Sequence, residues 1–287
     1  MKIILIISFF LCLIFPSCGD DPVTTENNPD NNFRYPFSIG SSWYYGTRNF
    51  LTNIRIDSAS NPFTTDTLTG YGDASFISDT VINSDTLRLF RNSHSEEGHA
   101  HSTIELYKQT DSGLIRYAYY SDGTNFGPFR PAGGYRFTFK NNSFNSLNDL
   151  FGFYSGDESG LSDNNFSDSV LYFDNPPVTV LKYPLTTGSE WLFKITGTTK
   201  FTKKYLNYEN TESSGMNYYC IKIRKFWYMN NSAMPEANLI FYDYFSGSGM
   251  VKRDFTIKDI QVSNQSGKLI GYIDAKEESF LNIFIQP

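Results

Sequence analysis

Rings and aliphatic side chains alternate with polar ones along this chain, and that pattern restricts its fold more than any other feature. Tyr135, Phe137 and Phe139 alternate with Arg136, Thr138 and Lys140. Trp191, Phe193 and Ile195 alternate with Leu192, Lys194 and Thr196, and Tyr219, Ile221 and Ile223 with Cys220, Lys222 and Arg224. A period of two sends successive side chains to opposite faces of a pleated strand. Further strands are expected at 86–91, 103–108, 237–245, 268–274 and 280–286, separated by clusters of Asn, Asp, Ser and Gly. With 26 Phe, 20 Tyr and 3 Trp, 17% of the chain is aromatic, a composition that favours half-buried strands over helices. One short helix is expected, with Ser143 capping a turn that buries Phe144, Leu147, Leu150 and Phe151. The expected fold is all-β: antiparallel sheets as a curved sheet, half-barrel or sandwich, with at most one or two short helices.

Two related halves are expected to build those sheets. Tyr35-Pro36-Phe37-Ser38-Ile39-Gly40-Ser41-Ser42-Trp43 returns 148 positions later as Tyr183-Pro184-Leu185-Thr186-Thr187-Gly188-Ser189-Glu190-Trp191. Gly113-Leu114-Ile115-Arg116 is echoed by Gly249-Met250-Val251-Lys252 at an offset of 136. Similar opening and closing phrases in the same order argue for two related units of chain. In each opening phrase Pro fixes the approach, Gly permits a turn and Trp starts a strand, so the phrases read as folding motifs. The loop-like residues 156–165 and the pair Pro176-Pro177 place the boundary between Ser155 and Pro177, giving a first half at 33–170 and a second at 171–287.

Ahead of the first half lies an export signal. Lys2 precedes an apolar run over residues 3–15, too short to span a bilayer, and Ser17, Cys18 and Gly19 form a small-residue exit. This segment resembles the lipobox of bacterial lipoproteins, although Phe15 stands where those usually have Leu. The resemblance implies a signal peptide at 1–17 and a diacylglycerol and N-acyl lipid on Cys18. A flexible tether would then follow at 18–32. Cleavage after Gly19 with plain secretion is the alternative. Loss of residues 1–17 leaves 23 basic against 30 acidic residues, a net charge of −7, and no clustered basic surface suited to nucleic acid. The densest basic run, Lys200, Lys203 and Lys204, reads as the solvated face of a strand. Cys12 leaves with the signal and Cys18 carries lipid, so Cys220 stands alone and no structural disulfide is expected.

The phrase Tyr35-Pro36 through Gly40-Ser41 to Trp43, together with Gly247-Ser248-Gly249-Met250-Val251-Lys252, resembles envelope lipoproteins of Bacteroidota. These carry an early Y-P-L-x-x-G-x-x-W segment and a late G-x-G-x-V-K segment around a β-rich body. The resemblance covers two short motifs and the signal region. It implies an envelope location, anchored in the outer membrane on its periplasmic or surface face, and a sheet with an apolar concavity. It brings no catalytic residues.

Few groups suggest chemistry. His94, His99 and His101 lie within eight residues, with Glu96 and Glu97 between. As a set they suggest a zinc-like site; as part of the hydrophilic stretch 92–102 they suggest an exposed hairpin tip. The acidic tract 157–168 lacks the ligand spacing of a calcium loop. No Gly-x-Ser-x-Gly elbow or Gly-Lys-Ser/Thr loop is present, and any Ser/His/Asp arrangement would draw its base from the histidine stretch. No catalytic residue, metal ligand or cofactor beyond the lipid is therefore assigned. The aromatic surplus offers binding residues instead: Phe126, Phe129 and Arg130 in a Pro- and Gly-rich loop, and Trp227 with Tyr228 in a run of three rings. The expected function is a non-enzymatic, membrane-anchored lipoprotein that binds a hydrophobic ligand or an envelope protein. A glycan-binding accessory protein and a metal-dependent hydrolase around His94, His99 and His101 are the alternatives.

Overall fold

Most strands meet their sequence neighbours around a nearly closed ring, and the last strand returns to the first. The computed structural model describes residues 32–57, 61–96, 99–121, 134–155 and 171–287. Cys18 and the signal, Phe126, Phe129 and Arg130 lie outside these residues. The first half of the ring runs through β1 (Ser42–Ile56), β2 (Leu68–Ile82), β3 (Asp85–Glu96), β4 (His99–Thr110), β5 (Gly113–Ser121) and, after an excursion, β8 (Leu171–Lys182). The second runs through β9 (Glu190–Thr196), β10 (Thr199–Ser213), β11 (Met216–Tyr228), β12 (Leu239–Ser246), β13 (Gly249–Asn264) and β14 (Leu269–Ile285). Every ladder is antiparallel, and β1 joins β14 from Ser42 opposite Ile285 to Ile56 opposite Gly271. The excursion holds β6 (Tyr135–Phe139), β7 (Asn142–Phe144) and α1 (Leu147–Ser155). Where β12 stops, β6 pairs with the remainder of β13.

The result is an all-β, antiparallel, nearly closed twelve-strand barrel with one α-helix among the described residues. Only the seam between β8 and β9 lacks a backbone ladder. Side chains bridge it instead. Trp191 donates its indole N–H to the Thr179 carbonyl at 2.9 Å, and the Tyr205 hydroxyl both donates to the Lys182 carbonyl and accepts from the Lys182 N–H.

Alternation puts one face of each strand inside. In β11, Ile221, Ile223, Lys225 and Trp227 point to the lumen, while Lys222, Arg224, Phe226 and Tyr228 point out. The two larger apolar clusters occupy the two ends of the lumen. One gathers Trp43, Phe76, Tyr205, Ile221 and Leu281, and the other Trp227, Phe241, Phe255, Ile257 and Leu150.

Each end is stoppered. At the near end, where the described chain begins, residues 33–41 cross the opening. Phe33 packs on Tyr183, Tyr35 on Trp43, Phe76 and Phe245, and Phe37 on Phe76. At the far end α1 buries Leu147, Leu150, Phe151 and Tyr154. Trp227 stacks on Phe255 and donates to the Tyr154 carbonyl at 3.1 Å.

The two opening phrases make matching bonds. Ser41 N–H reaches the Ser38 carbonyl as Ser189 N–H reaches that of Thr186, both at 3.0 Å. Gly40 and Gly188, at φ +91° and +83°, donate to Phe76 and Tyr205 at 2.8 Å, and those residues return a bond to Ser41 and Ser189. The phrases also touch: Tyr35 N–H donates to the Tyr183 hydroxyl, which donates to Gln109, whose amide donates to the Tyr35 carbonyl. Opening and late phrases meet at Trp43, whose indole N–H donates to the Ser248 carbonyl at 2.6 Å above Gly249.

Several expectations need correction. The helix starts later than expected, because Ser143 pairs with Thr138 in the β6–β7 hairpin. Its cap is Ser146, whose hydroxyl accepts from the Asp149 N–H, and Phe144 ends a strand. The stretches 268–274 and 280–286 are one strand, β14. Pro176 and Pro177 do not end an element but lie within β8, at the ring's open seam, where a proline lacks no partner. β8, assigned to the second half by sequence, hydrogen-bonds β5 of the first.

Gly249→Ala should destabilise the fold by at least about 1–3 kcal/mol, the strain of a side chain at positive φ. Its φ is +92°, and the added methyl would sit 2.7 Å from the Trp43 indole nitrogen. Urea unfolding would measure the loss; an unchanged midpoint would contradict the packing. Burial also raises the Tyr35, Tyr45, Tyr107 and Tyr205 hydroxyls above their ordinary pKa of 10.0. The folded state holds these protons more tightly, so their contribution is complete below pH 10 and is lost as pH rises beyond it. Absorbance titration should find these tyrosines un-ionised until the fold is lost in alkali.

Candidate functional site

Between the two apolar clusters the lumen carries a belt of charge. Arg116 on β5 donates to Glu105 on β4 at 2.9 Å and makes a two-pronged pair with Asp174 on β8, at 2.8 and 3.2 Å. The Arg116 and Asp174 side chains are 7% and 3% exposed. Burial opposes the guanidinium's charge, but Glu105 and Asp174 outweigh it and its pKa is raised. Tyr107 donates to the second oxygen of Glu105 at 2.9 Å. Farther round the belt Arg253 on β13 donates to the buried Asp243 on β12 at 2.8 Å.

Lys203 and Lys225 stand opposite each other on β10 and β11. Lys225 donates to the Ser155 carbonyl at the end of α1 and is surrounded by Phe193, Phe201, Trp227 and Phe241. Lys194, whose cation is opposed by burial and then by Arg116, has its pKa lowered to about 8. These groups form ion pairs and ring contacts that fasten the barrel wall. They do not set a nucleophile beside a base.

The sequence-derived candidates scatter. Trp227 is 1% exposed and belongs to the lumen core, so it is not a binding ring; in the run of three, alternation turned the middle one inward. Tyr228 faces out, half-buried beneath Lys200 at 4.2 Å. The basic run is likewise not one solvated face: Lys203 points inward and is buried between Lys200 and Lys204. Strand register sets His94 opposite His101 and Glu96 opposite His99 at the far end. The histidine side chains lie outside the described residues, and among the described residues no three His, Cys, Asp or Glu form a metal-holding group.

What sequence did not reveal is the difference between the two ends. At the near end the connections 83–84, 111–112, 214–215 and 247–248 each have two residues, and 183–189 is the second opening phrase. The far end has the short connections 97–98, 197–198 and 265–268, and also the long ones 57–67, 122–170 and 229–238. Phe126, Phe129 and Arg130 belong to the second of these. A groove of about 230 Å³ opens there, lined by Lys140, Asn141, Met229, Asn230, Ser232, Met234 and Glu236, with Lys140 paired to Glu236 at 3.0 Å.

The middle of the outer wall on the β1–β14–β13 side is charged. Arg48, Glu278, Asp254, Tyr242 and Arg224 form one outward row across five neighbouring strands, and four of the five are charged, unlike the apolar band of a membrane-spanning barrel. Among the described residues no helix is long and apolar enough to cross a membrane.

No family model and no curated protein matches this chain. Two solved structures align with it over 88% of its length. One is a Bacteroides fragilis NCTC 9343 protein, described as exported and of YmcC-like fold, 99% covered, 12% identical, with a TM-score of 0.36. The other is a Parabacteroides distasonis ATCC 8503 protein, described as a lipoprotein, 98% covered, 10% identical, with a TM-score of 0.29.

Removing one member of a buried ion pair leaves the other uncompensated, at a cost of about 3–5 kcal/mol. Asp174→Ala should therefore lower unfolding stability by about that amount, as read by chemical denaturation. A loss near zero would show that the belt is wet and not structural.

Proposed function

We propose that this chain is a non-enzymatic lipoprotein of the bacterial envelope, held in the outer membrane through Cys18. In this reading it presents the far end of a filled barrel to a protein partner. Anchoring is supported by the lipobox-like exit at Ser17-Cys18-Gly19 and by Cys220, the remaining thiol, which is buried and unbridged. The observation that carries the binding reading is the asymmetry of the ends. Rigid two-residue turns gather where the tether enters, and long connections gather where a partner would approach. A hydrophobic ligand in the lumen fits less well, because rings and paired charges already occupy that space.

A glycan partner is the second reading, and one outward feature favours it. Tyr71 is 68% exposed opposite Gly46, and the Phe280 ring lies across that glycine with the Arg48 guanidinium 4.8 Å from its centre. Exposed rings beside polar donors suit a sugar face.

Cys18→Ser should abolish acyl labelling and release the protein to the soluble fraction; unchanged membrane association would overturn the anchoring. A photo-crosslinker at Met234, on the far end, should form a protein adduct in intact cells that one at Met216, on the near end, does not. Equal adducts from both would overturn the far-end reading.

A further inference from the structure

Exposed apolar side chains gather on one flank of the near end. Ile39 and Ile77 flank the Gly40–Phe76 bond. Ile285 lies opposite Ser42, and Ile283 opposite Tyr44, on the outward face of the β1–β14 ladder. Pro287 lies beside Gly40 and extends the same surface. Ile39, Tyr44, Ile77, Ile283 and Ile285 are all exposed, Ile283 by 55%. The acids closest in register are held by arginines: Asp73 lies 3.9 Å from Arg91, and Asp79 pairs with Arg88 at 2.7 Å. A contiguous apolar flank of this kind marks a contact surface.

We infer that this flank seats the barrel on the lipid surface that holds its own anchor, fixing the long loops at the far end away from the membrane. The inference rests on the lipidation of Cys18 proposed above. Thirteen residues lie between Cys18 and Asn32, a reach of at most about 50 Å. That chain enters the barrel beside Ile39, so the near flank meets the bilayer with the tether slack. A fifteen-residue strand such as β1, tilted as barrel strands are, still sets the far end tens of Å farther from Asn32, so the near flank is the part of the body that the tether brings to the bilayer first. Tyr44, with an apolar ring and a polar hydroxyl, suits the headgroup boundary, and the isoleucines suit the acyl chains beneath it. Tethering makes even a weak contact intramolecular, so a few side chains suffice.

The test places an environment-sensitive fluorophore at Ile283→Cys or, as a far-end control, at Met234→Cys. Burial pushes the Cys220 thiol up to about 12, so the native cysteine stays unlabelled. The full lipid-modified protein is reconstituted in phosphatidylethanolamine and phosphatidylglycerol vesicles containing brominated lipid. The label at 283 should shift to the blue and be quenched, and the label at 234 should do neither. Ile77→Cys carrying the label in an Ile283→Glu, Ile285→Glu background should lose the quenching it shows alone. These side chains are exposed, so circular dichroism should be unchanged. A label at 283 that reports water, or equal quenching at both ends, overturns the inference. A parallel preparation carrying Cys18→Ser, held to nickel-chelating vesicles by an N-terminal hexahistidine tag, separates the two readings. Absent acylation at Cys18 sinks the anchor alone, whereas a water-exposed 283 label in both preparations sinks the docking.

Discussion

A ring of twelve strands encloses more space than aliphatic side chains fill, and the rest of this structure answers that constraint. About eight strands make a barrel whose interior side chains just close, and larger rings leave a channel unless something occupies it. Here the occupants are rings. Trp43, Tyr205, Phe76, Trp227 and Phe255 reach inward from the wall, the segment 33–41 closes one mouth and α1 the other. The aromatic surplus of the sequence is thus explained by geometry before any binding role is invoked. The charged belt fits the same account. Arg116 and Arg253 pair with acids on neighbouring strands and hold the wall in register, and Lys225 ties β11 to the end of α1.

Much of this was legible in the sequence. Alternation located β6, β9 and β11, because their inward and outward residues differ in kind. It failed where the lumen is polar or the outside apolar. β1 turns Thr47 and Asn49 inward, β10 turns Lys203 inward, and β2 leaves Tyr71 outside, so the pattern is blurred in all three. The duplicated opening phrase was visible as letters, and its two copies share a hydrogen-bond pattern. That Trp43 rests on Gly249 was not visible. The contact joins residues 206 positions apart, and nothing local announces it. Pairing of β1 with β14 is hidden for the same reason.

The candidate site was less legible than the fold. A run of three rings promised an exposed aromatic, but strand parity alone cannot say which face is inside, and Trp227 proved to be core. A basic run promised a solvated face, yet alternation sends its middle member inward. Phe126, Phe129 and Arg130 lie outside the described residues. Placement followed from topology, and topology from contacts that no short window of sequence contains.

The ladder between the first and last strands also sets a timetable. β1 is among the earliest parts of the body to be synthesised, yet its partner on one side is the strand that comes last. Until β14 emerges, the wall cannot close and the Trp43 indole lacks the Phe284 ring on which it stacks. Folding dominated by such distant pairings is slow. Under the export reading proposed above, that delay is useful, because a polypeptide that cannot finish its tertiary structure early remains threadable through a translocation pore.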